Sequence, residues 1–241
     1  MKDIDHKLLV KKIILSRFLE MPLKKYEEFI ENLKKCPIFQ KLYNWKYDKH
    51  NQGIIKIINF PKTKGSIGKC SWPKNVLAEV IVSKDRYLIN YRNEWFSKKI
   101  DIDQSRLRRF LESEESTNKK ETSIKDLLIK ARLISIRNSI TYRILRGIIF
   151  FQKDFFIKKD DPYSLKILSF LDVSKWTNYN FKNGLHVDIS RISRTINGKS
   201  IITKYGNEIE LKKLFPSSRD IKKNMLKKSF TQNMKVWIKA Y

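Results

Sequence analysis

The feature that most constrains this chain is a long proline-free run, from Thr122 to Asp161, with apolar residues at helical spacing. Ile124, Leu127, Leu128, Ala131 and Ile134 begin a stripe that continues through Ile144, Leu145, Ile148, Phe151 and Phe155. Recurrence every three or four residues places these side chains on one side of an α-helix. The spacing predicts a single helix of about 35 residues, or about 50 Å at 1.5 Å per residue. Such a rod outruns ordinary globular helices, so it is expected to span between parts of a larger assembly.

The segments around this rod are shorter. Leu8, Leu9, Ile13, Phe18 and Leu19 belong to one helix, and Pro22 interrupts. Leu23, Tyr26, Phe29, Ile30 and Leu33 mark a second helix that ends at Pro37, making an N-terminal helical hairpin. Ile54 to Ile58 reads as either a short helix or a strand. Val76, Val80, Ile81 and Val82, then Tyr87, Leu88, Ile89 and Tyr91, flank Ser83–Arg86 as a β-hairpin, the one β element expected. Residues 112–121 read as an acidic loop. Past Asp161-Pro162, a helix is expected over Leu168–Asn178 and another from the cap Asp188 to Asn197, stopped by Gly198. The fold class is therefore mainly α with one small β-hairpin: an N-terminal helical hairpin, a long spanning helix and a helix-turn-helix.

Charge narrows the function. The chain carries 52 Lys+Arg against 25 Asp+Glu, a net charge of +27 over 241 residues. That excess repels itself unless a polyanion relieves it, which points first to nucleic acid and second to an anionic membrane surface. An AT-rich coding bias would enrich Lys, Ile and Asn everywhere. It would not by itself concentrate the imbalance at one end, yet Lys182–Tyr241 holds 14 basic residues and 4 acidic ones. No apolar run reaches membrane-spanning length and no signal-peptide pattern opens the chain, so a cytoplasmic protein is expected. Cys36 and Cys70 lack CxxC partners and His6, His50 and His186 are scattered, so no metal is expected. Gly65-Ser-Ile-Gly-Lys69 imitates the end of a phosphate loop. It lacks the leading glycine, with Thr63 in that place, and has Cys70 where magnesium needs a hydroxyl. No cofactor, small-molecule substrate or catalytic residue is expected.

On a helical wheel over 188–198, Ile189, Ile192 and Ile196 fall on one side, and Ser190, Arg191, Arg194 and Asn197 on the other. Two readings fit: a solvated basic face, or a helix docked by isoleucines that offers guanidinium, hydroxyl and amide groups to a major groove.

Ser190-Arg-Ile-Ser193-Arg194, followed by Lys199, Thr203, Gly206 and Glu210-Leu-Lys212…Phe215, resembles the DNA-binding core of the sigma-54 (RpoN-type) RNA polymerase sigma factors. Upstream, Arg137-Asn-Ser-Ile-Thr141…Gln152-Lys-Asp-Phe155-Phe156…Asp172-Val173 is similar to the family's extra-long helix and its entry to the helix-turn-helix. Val80-Ile-Val…Tyr87-Leu-Ile-Asn90 resembles its β-hairpin, and Phe18-Leu19-Glu-Met-Pro22-Leu23…Pro37-Ile-Phe39 its N-terminal activator-responsive region. Most of the core-binding helices between Gln40 and Ile54 have no counterpart, the turn at Asn180–Gly184 is long, and 219–241 does not match the C-terminal RpoN box. The resemblance thus implies a reduced form.

It implies four regions: 1–45 activator-responsive, 46–110 a remnant core-binding domain with the hairpin, 111–218 the long helix plus helix-turn-helix, and 219–241 a basic tail. It implies core RNA polymerase, promoter DNA and an AAA+ activator ATPase as partners. Ser190, Arg191, Ser193, Arg194, Asn197, Lys199, Lys204 and Lys212 would bind DNA at the start-proximal (−12) element. Arg137, Leu19, Pro22 and Leu23 would be regulatory. The alternatives are a standalone helix-turn-helix regulator without polymerase, or a degenerating sigma factor. An enzyme acting on nucleic acid has no carboxylate or His/Cys constellation to support it.

Overall fold

The computed structural model describes residues 12–44, 53–65, 72–84, 86–113, 118–182 and 184–240. Leu8, Leu9, His6, His50, Cys70 and the Ser66–Lys69 part of the imitation phosphate loop lie outside these residues. Helices α1 (12–20), α2 (Leu23–Lys35) and α3 (Pro37–Asn44) come first. Strands β1 (Ile55–Asn59), β2 (Thr63–Gly65), β3 (Val76–Val82), β4 (Tyr87–Tyr91) and β5 (Lys98–Ile102) follow. Next are α4 (Gln104–Ser113), α5 (Asn118–Phe151), α6 (Lys153–Ile157), α7 (Phe170–Asn180) and α8 (Ile189–Ile196). Strands β6 (Ser200–Thr203) and β7 (Glu208–Glu210) and helix α9 (Ser218–Ala240) complete the order.

The long helix is present, and within this molecule it is a core element. Helix α5 has 34 residues, and from Ala131 to Ile149 nearly its whole circumference is buried or half-buried. A helix buried on nearly all sides is a core helix, and its polar residues Ser135, Arg137, Asn138, Thr141 and Arg143 are buried along with the apolar ones. It is the axle of this molecule. It stops at Gln152, whose backbone leaves helical geometry (φ −101°, ψ 23°) before α6 resumes. Gln152 is fully buried and its amide bridges three backbone groups: Nε2 donates to Lys166 O (2.9 Å) and Leu214 O (3.0 Å), and Oε1 accepts from Lys166 N (2.9 Å). The polar reading of 112–121 is also corrected at its edges, since α4 runs to Ser113 and α5 begins at Asn118.

The β-hairpin forms with Val82 opposite Tyr87, closed by Ser83 N donating to Arg86 O. It does not stand alone. Within the described residues a five-stranded sheet has the order β2-β4-β3-β6-β7, with β6 parallel to β3 and β2 parallel to β4. The ambiguous Ile54–Ile58 segment is the strand β1, antiparallel to β5. The expectation of a single β element is overturned because β2, β6 and β7 are three or four residues long, too short to show a period of two.

Candidate nucleic-acid interface

Helix α7 starts with a capping box: Ser169 Oγ accepts from Asp172 N, and Asp172 accepts in return from Ser169 N. Ser169 Oγ (2.6 Å) and Ser169 N (2.9 Å) both donate to Asp172 Oδ2, and these two bonds hold the carboxyl below its usual range. Gly147 lets α7 approach α5, because a Cβ there would meet Val173 Cγ1 at 3.0 Å. Helix α8 begins at Asp188, whose Oδ1 accepts from Arg191 N and Ser190 Oγ (both 2.8 Å). It ends at Gly198, in the left-handed region at φ +62°, as its C-terminal stop requires.

The connection from Phe181 to Asp188 is longer than a tight helix-turn-helix turn, and side chains hold its end. Asn178 clasps Val187 through both N (2.8 Å) and O (3.0 Å), and Ser174 Oγ donates to the same carbonyl (2.7 Å). From α5, the buried Arg143 donates to Leu185 O (2.5 Å) and Thr177 O (3.3 Å). Arg143 was missed as a positioning residue. The available signal was a cation inside the most apolar part of the long helix.

The residues of α8 divide differently from the wheel. Ile192 and Ile196 are buried, with Thr195 beside them, whereas Ile189 is 47% exposed. Asp188 caps at the start of α8, so the first turn lies at the edge of the docked face. Ser190, Ser193 and Asn197 are exposed, as are Lys204 and Lys212. Arg191 and Arg194 are half-buried and engaged within the molecule. Arg191 donates to His186 O and pairs with Asp188 (3.5 Å). Arg194 donates to Ser16 Oγ (2.9 Å) and pairs with Glu20 (3.1 Å), both on α1. Lys199 leaves the surface set altogether: it is 4% exposed, and its ammonium donates to Leu19 O (3.2 Å) and Thr195 O.

Helix α1 therefore ends on two basic side chains, Lys199 and Arg137. Arg137 donates to Phe18 O and Met21 O, each at 2.7 Å, and its guanidinium lies 3.8 Å from the centre of the Tyr26 ring. Carbonyls at a helix C-terminus lack intrahelical partners and carry partial negative charge, so two basic donors fit there. Leu19 and Leu23 are buried beneath the junction and Pro22 is exposed at the turn. The next residue on α5, Asn138, accepts from Tyr26 Oη (2.7 Å) and donates to Trp95 O and Lys98 O. Burial lowers Arg137 to about 10, so it stays charged at neutral pH.

Burial lowers Lys199 from 10.5 to about 7, helped by Arg137 and opposed by Glu20. Between those values the unfolded chain binds the proton and the folded chain does not. Stability from this group therefore rises with pH from about 7 upward and is lowest below 7. The melting point is expected to climb between pH 7 and pH 9, and Lys199→Met is expected to flatten that climb. Parallel slopes for the two proteins would refute this.

A basic, mainly helical protein that presents a capped eight-residue helix with exposed hydroxyls, an exposed amide at its C-cap Asn197 and exposed ammonium groups at Lys204 and Lys212 after it has the surface chemistry of the DNA-binding class. The family model for "Sigma-54, DNA binding domain" matches residues 97–240, well over half of the chain. The chain belongs to the sigma-54 family of DNA-binding transcription factors, a family that is not enzymatic. A search of curated proteins found no match. Among the described residues no helix is long and apolar enough to cross a membrane.

Proposed function

We propose that this chain is a sigma-54-type initiation factor that binds core RNA polymerase and sets α7 and α8 as a helix-turn-helix on the start-proximal (−12) promoter element. Residues 1–45 act as the activator-responsive region, 46–110 as the remnant polymerase-binding region, 111–218 as the reader and 219–241 as a basic tail. The observation that carries this reading is the contact of Glu20 and Ser16 on α1 with Arg194 on α8. The same arginine that would reach DNA is held by the N-terminal hairpin, so the hairpin and a DNA edge compete for it. An AAA+ activator that spends ATP on pulling the hairpin away would free it. The factor itself would hydrolyse nothing.

In this scheme Lys204, Lys212 and the tail neutralise phosphates, which contributes affinity without sequence preference and is strongly salt-dependent. Ser190, Arg191, Ser193, Arg194 and Asn197 discriminate. Arg194→Ala is expected to flatten preferences among promoter sequences by about 1–3 kcal/mol. Equal loss on every duplex in a binding assay would refute that role. Lys227→Ala combined with Lys228→Ala is expected to weaken all duplexes alike and to reduce the slope of affinity against salt. An unaltered slope would remove the tail from the phosphate contacts. Co-purification with core polymerase separates this reading from a standalone regulator, which would bind DNA and leave polymerase behind.

A further inference from the structure

Lys199 is taken out of water with no carboxylate to hold it: among the described residues it forms no ion pair. Its ammonium donates to Leu19 O at the end of α1 (3.2 Å) and to Thr195 O of α8. The cavity it lines together with Arg137 and Tyr26 measures about 10 Å³, room for about one water and for no hydration shell. The cover that shuts water out is the α1–α2 junction, since Leu19 closes one side and Leu23 and Tyr26 another. Two charged groups face the lysine. Arg137 on α5 repels its charge, and Glu20 on α1 attracts it. Glu20 is itself engaged by Arg194 of α8 at 3.1 Å. Tyr26 on α2 is a neutral phenol that burial keeps protonated far above neutral pH, and the neighbours Leu77 and Phe96 are apolar. A desolvated amine beside a guanidinium favours its uncharged form.

We propose that α1 is a proton-linked clamp: its undocking exposes Lys199, the lysine takes up one proton, and Arg194 is freed from Glu20 and Ser16 to meet DNA. The sign follows from the two environments. Under α1 the lysine titrates at about 7, and in water it returns toward 10.5. Between those values the undocked chain carries a proton that the docked chain lacks. Docking therefore weakens by up to about tenfold for each unit of fall in pH toward 7, and levels off below, where both forms are protonated. Apparent affinity for DNA scales with the fraction of chains whose reader is free, so it rises as docking falls. This inference rests on the promoter-binding reading only for what Arg194 does once it is free.

Two readouts on the full chain separate the clamp from the reader, each taken at constant ionic strength from about pH 6.5 to about pH 9. Methyl NMR signals of Leu19 in the DNA-free chain report the docked fraction, and anisotropy of a fluorescent duplex spanning a −12 element reports binding. As pH falls from 9 to 7 the docked fraction is expected to fall and the duplex to bind more tightly, by up to about tenfold per unit. Lys199→Met, which cannot take up the proton, is expected to keep α1 docked and the duplex weakly bound throughout. Lys199→Arg, charged at every pH used, is expected to do the reverse, with α1 released and the duplex tightly bound throughout. Damage to packing alone would release α1 in both variants. Both keep His186, so any titration there cancels in their difference from the parent. A docked fraction that ignores pH in the parent, or a pH slope that survives in either variant, overturns the clamp. A docked fraction that titrates without any change in the affinity for a duplex that is bound overturns its link to Arg194. Leu19 signals that titrate in a chain that binds no duplex at any pH count against the promoter reading and support the clamp.

Discussion

Arg137→Ala is expected to lower the melting point by about 6–12 °C, which corresponds to about 3 kcal/mol in a chain of this size. Its guanidinium makes two 2.7 Å hydrogen bonds to Phe18 O and Met21 O, and 97% of the residue is shielded from water. Truncation leaves both carbonyls facing a cavity, and the Tyr26 ring loses the cation above it. The damage is expected to concentrate in α1 and α2, so amide exchange should quicken over 12–35 before it does in α5. Releasing α1 also releases Arg194 from Glu20 and Ser16, so DNA binding is expected to strengthen while stability falls. Arg137→Lys is expected to fall between the two, because an ammonium lacks the planar fork that reaches both carbonyls. A melting point within about 2 °C of the parent, with unchanged exchange in the hairpin, would refute the clamp.

Gln152→Leu should cost about as much, through a different part of the molecule. The substitution removes the amide and keeps the site filled with an apolar side chain, so the lost hydrogen bonds dominate its effect. Lys166 N, Lys166 O and Leu214 O lose their partner together, and an unsatisfied buried polar group costs about 1–3 kcal/mol. Exposed ends of the affected segments will recover water contacts, so about 3 kcal/mol is expected in total. Gln152→Glu tests the same arrangement from the other side: its carboxylate accepts from Lys166 N but donates to neither carbonyl. Thermal melts of both variants check the size, and exchange at the amide of Lys166 checks the place. If Gln152→Leu melts with the parent, the amide is not what ties α5 to the segments around Lys166 and Leu214.

The local elements were legible because their signals are local. The cap Asp188, the stop Gly198 and the isoleucine spacing define α8 within a dozen residues. The alternation around Ser83–Arg86 defines the β3–β4 hairpin in the same way. The sheet was not legible. Its central pairing sets β3 parallel to β6, from opposite halves of the chain, and nothing within either short segment records the other. The break in the long helix was also hidden. It depends on Gln152 finding backbone partners 14 and 62 residues away.

The candidate interface shows the same division. Sequence alone determined the helix that would read DNA, the excess of positive charge and the membership of the sigma-54 family, because caps, periodicity and motif order are properties of neighbouring residues. Only the tertiary structure decided which cations are available. Lys199 and Lys204 lie five positions apart and look alike in the chain. One is buried against Leu19, 180 residues away, and the other is in water. Burial of a charge depends on which distant backbone arrives to hydrogen-bond it, and that arrival is set by packing across the whole fold.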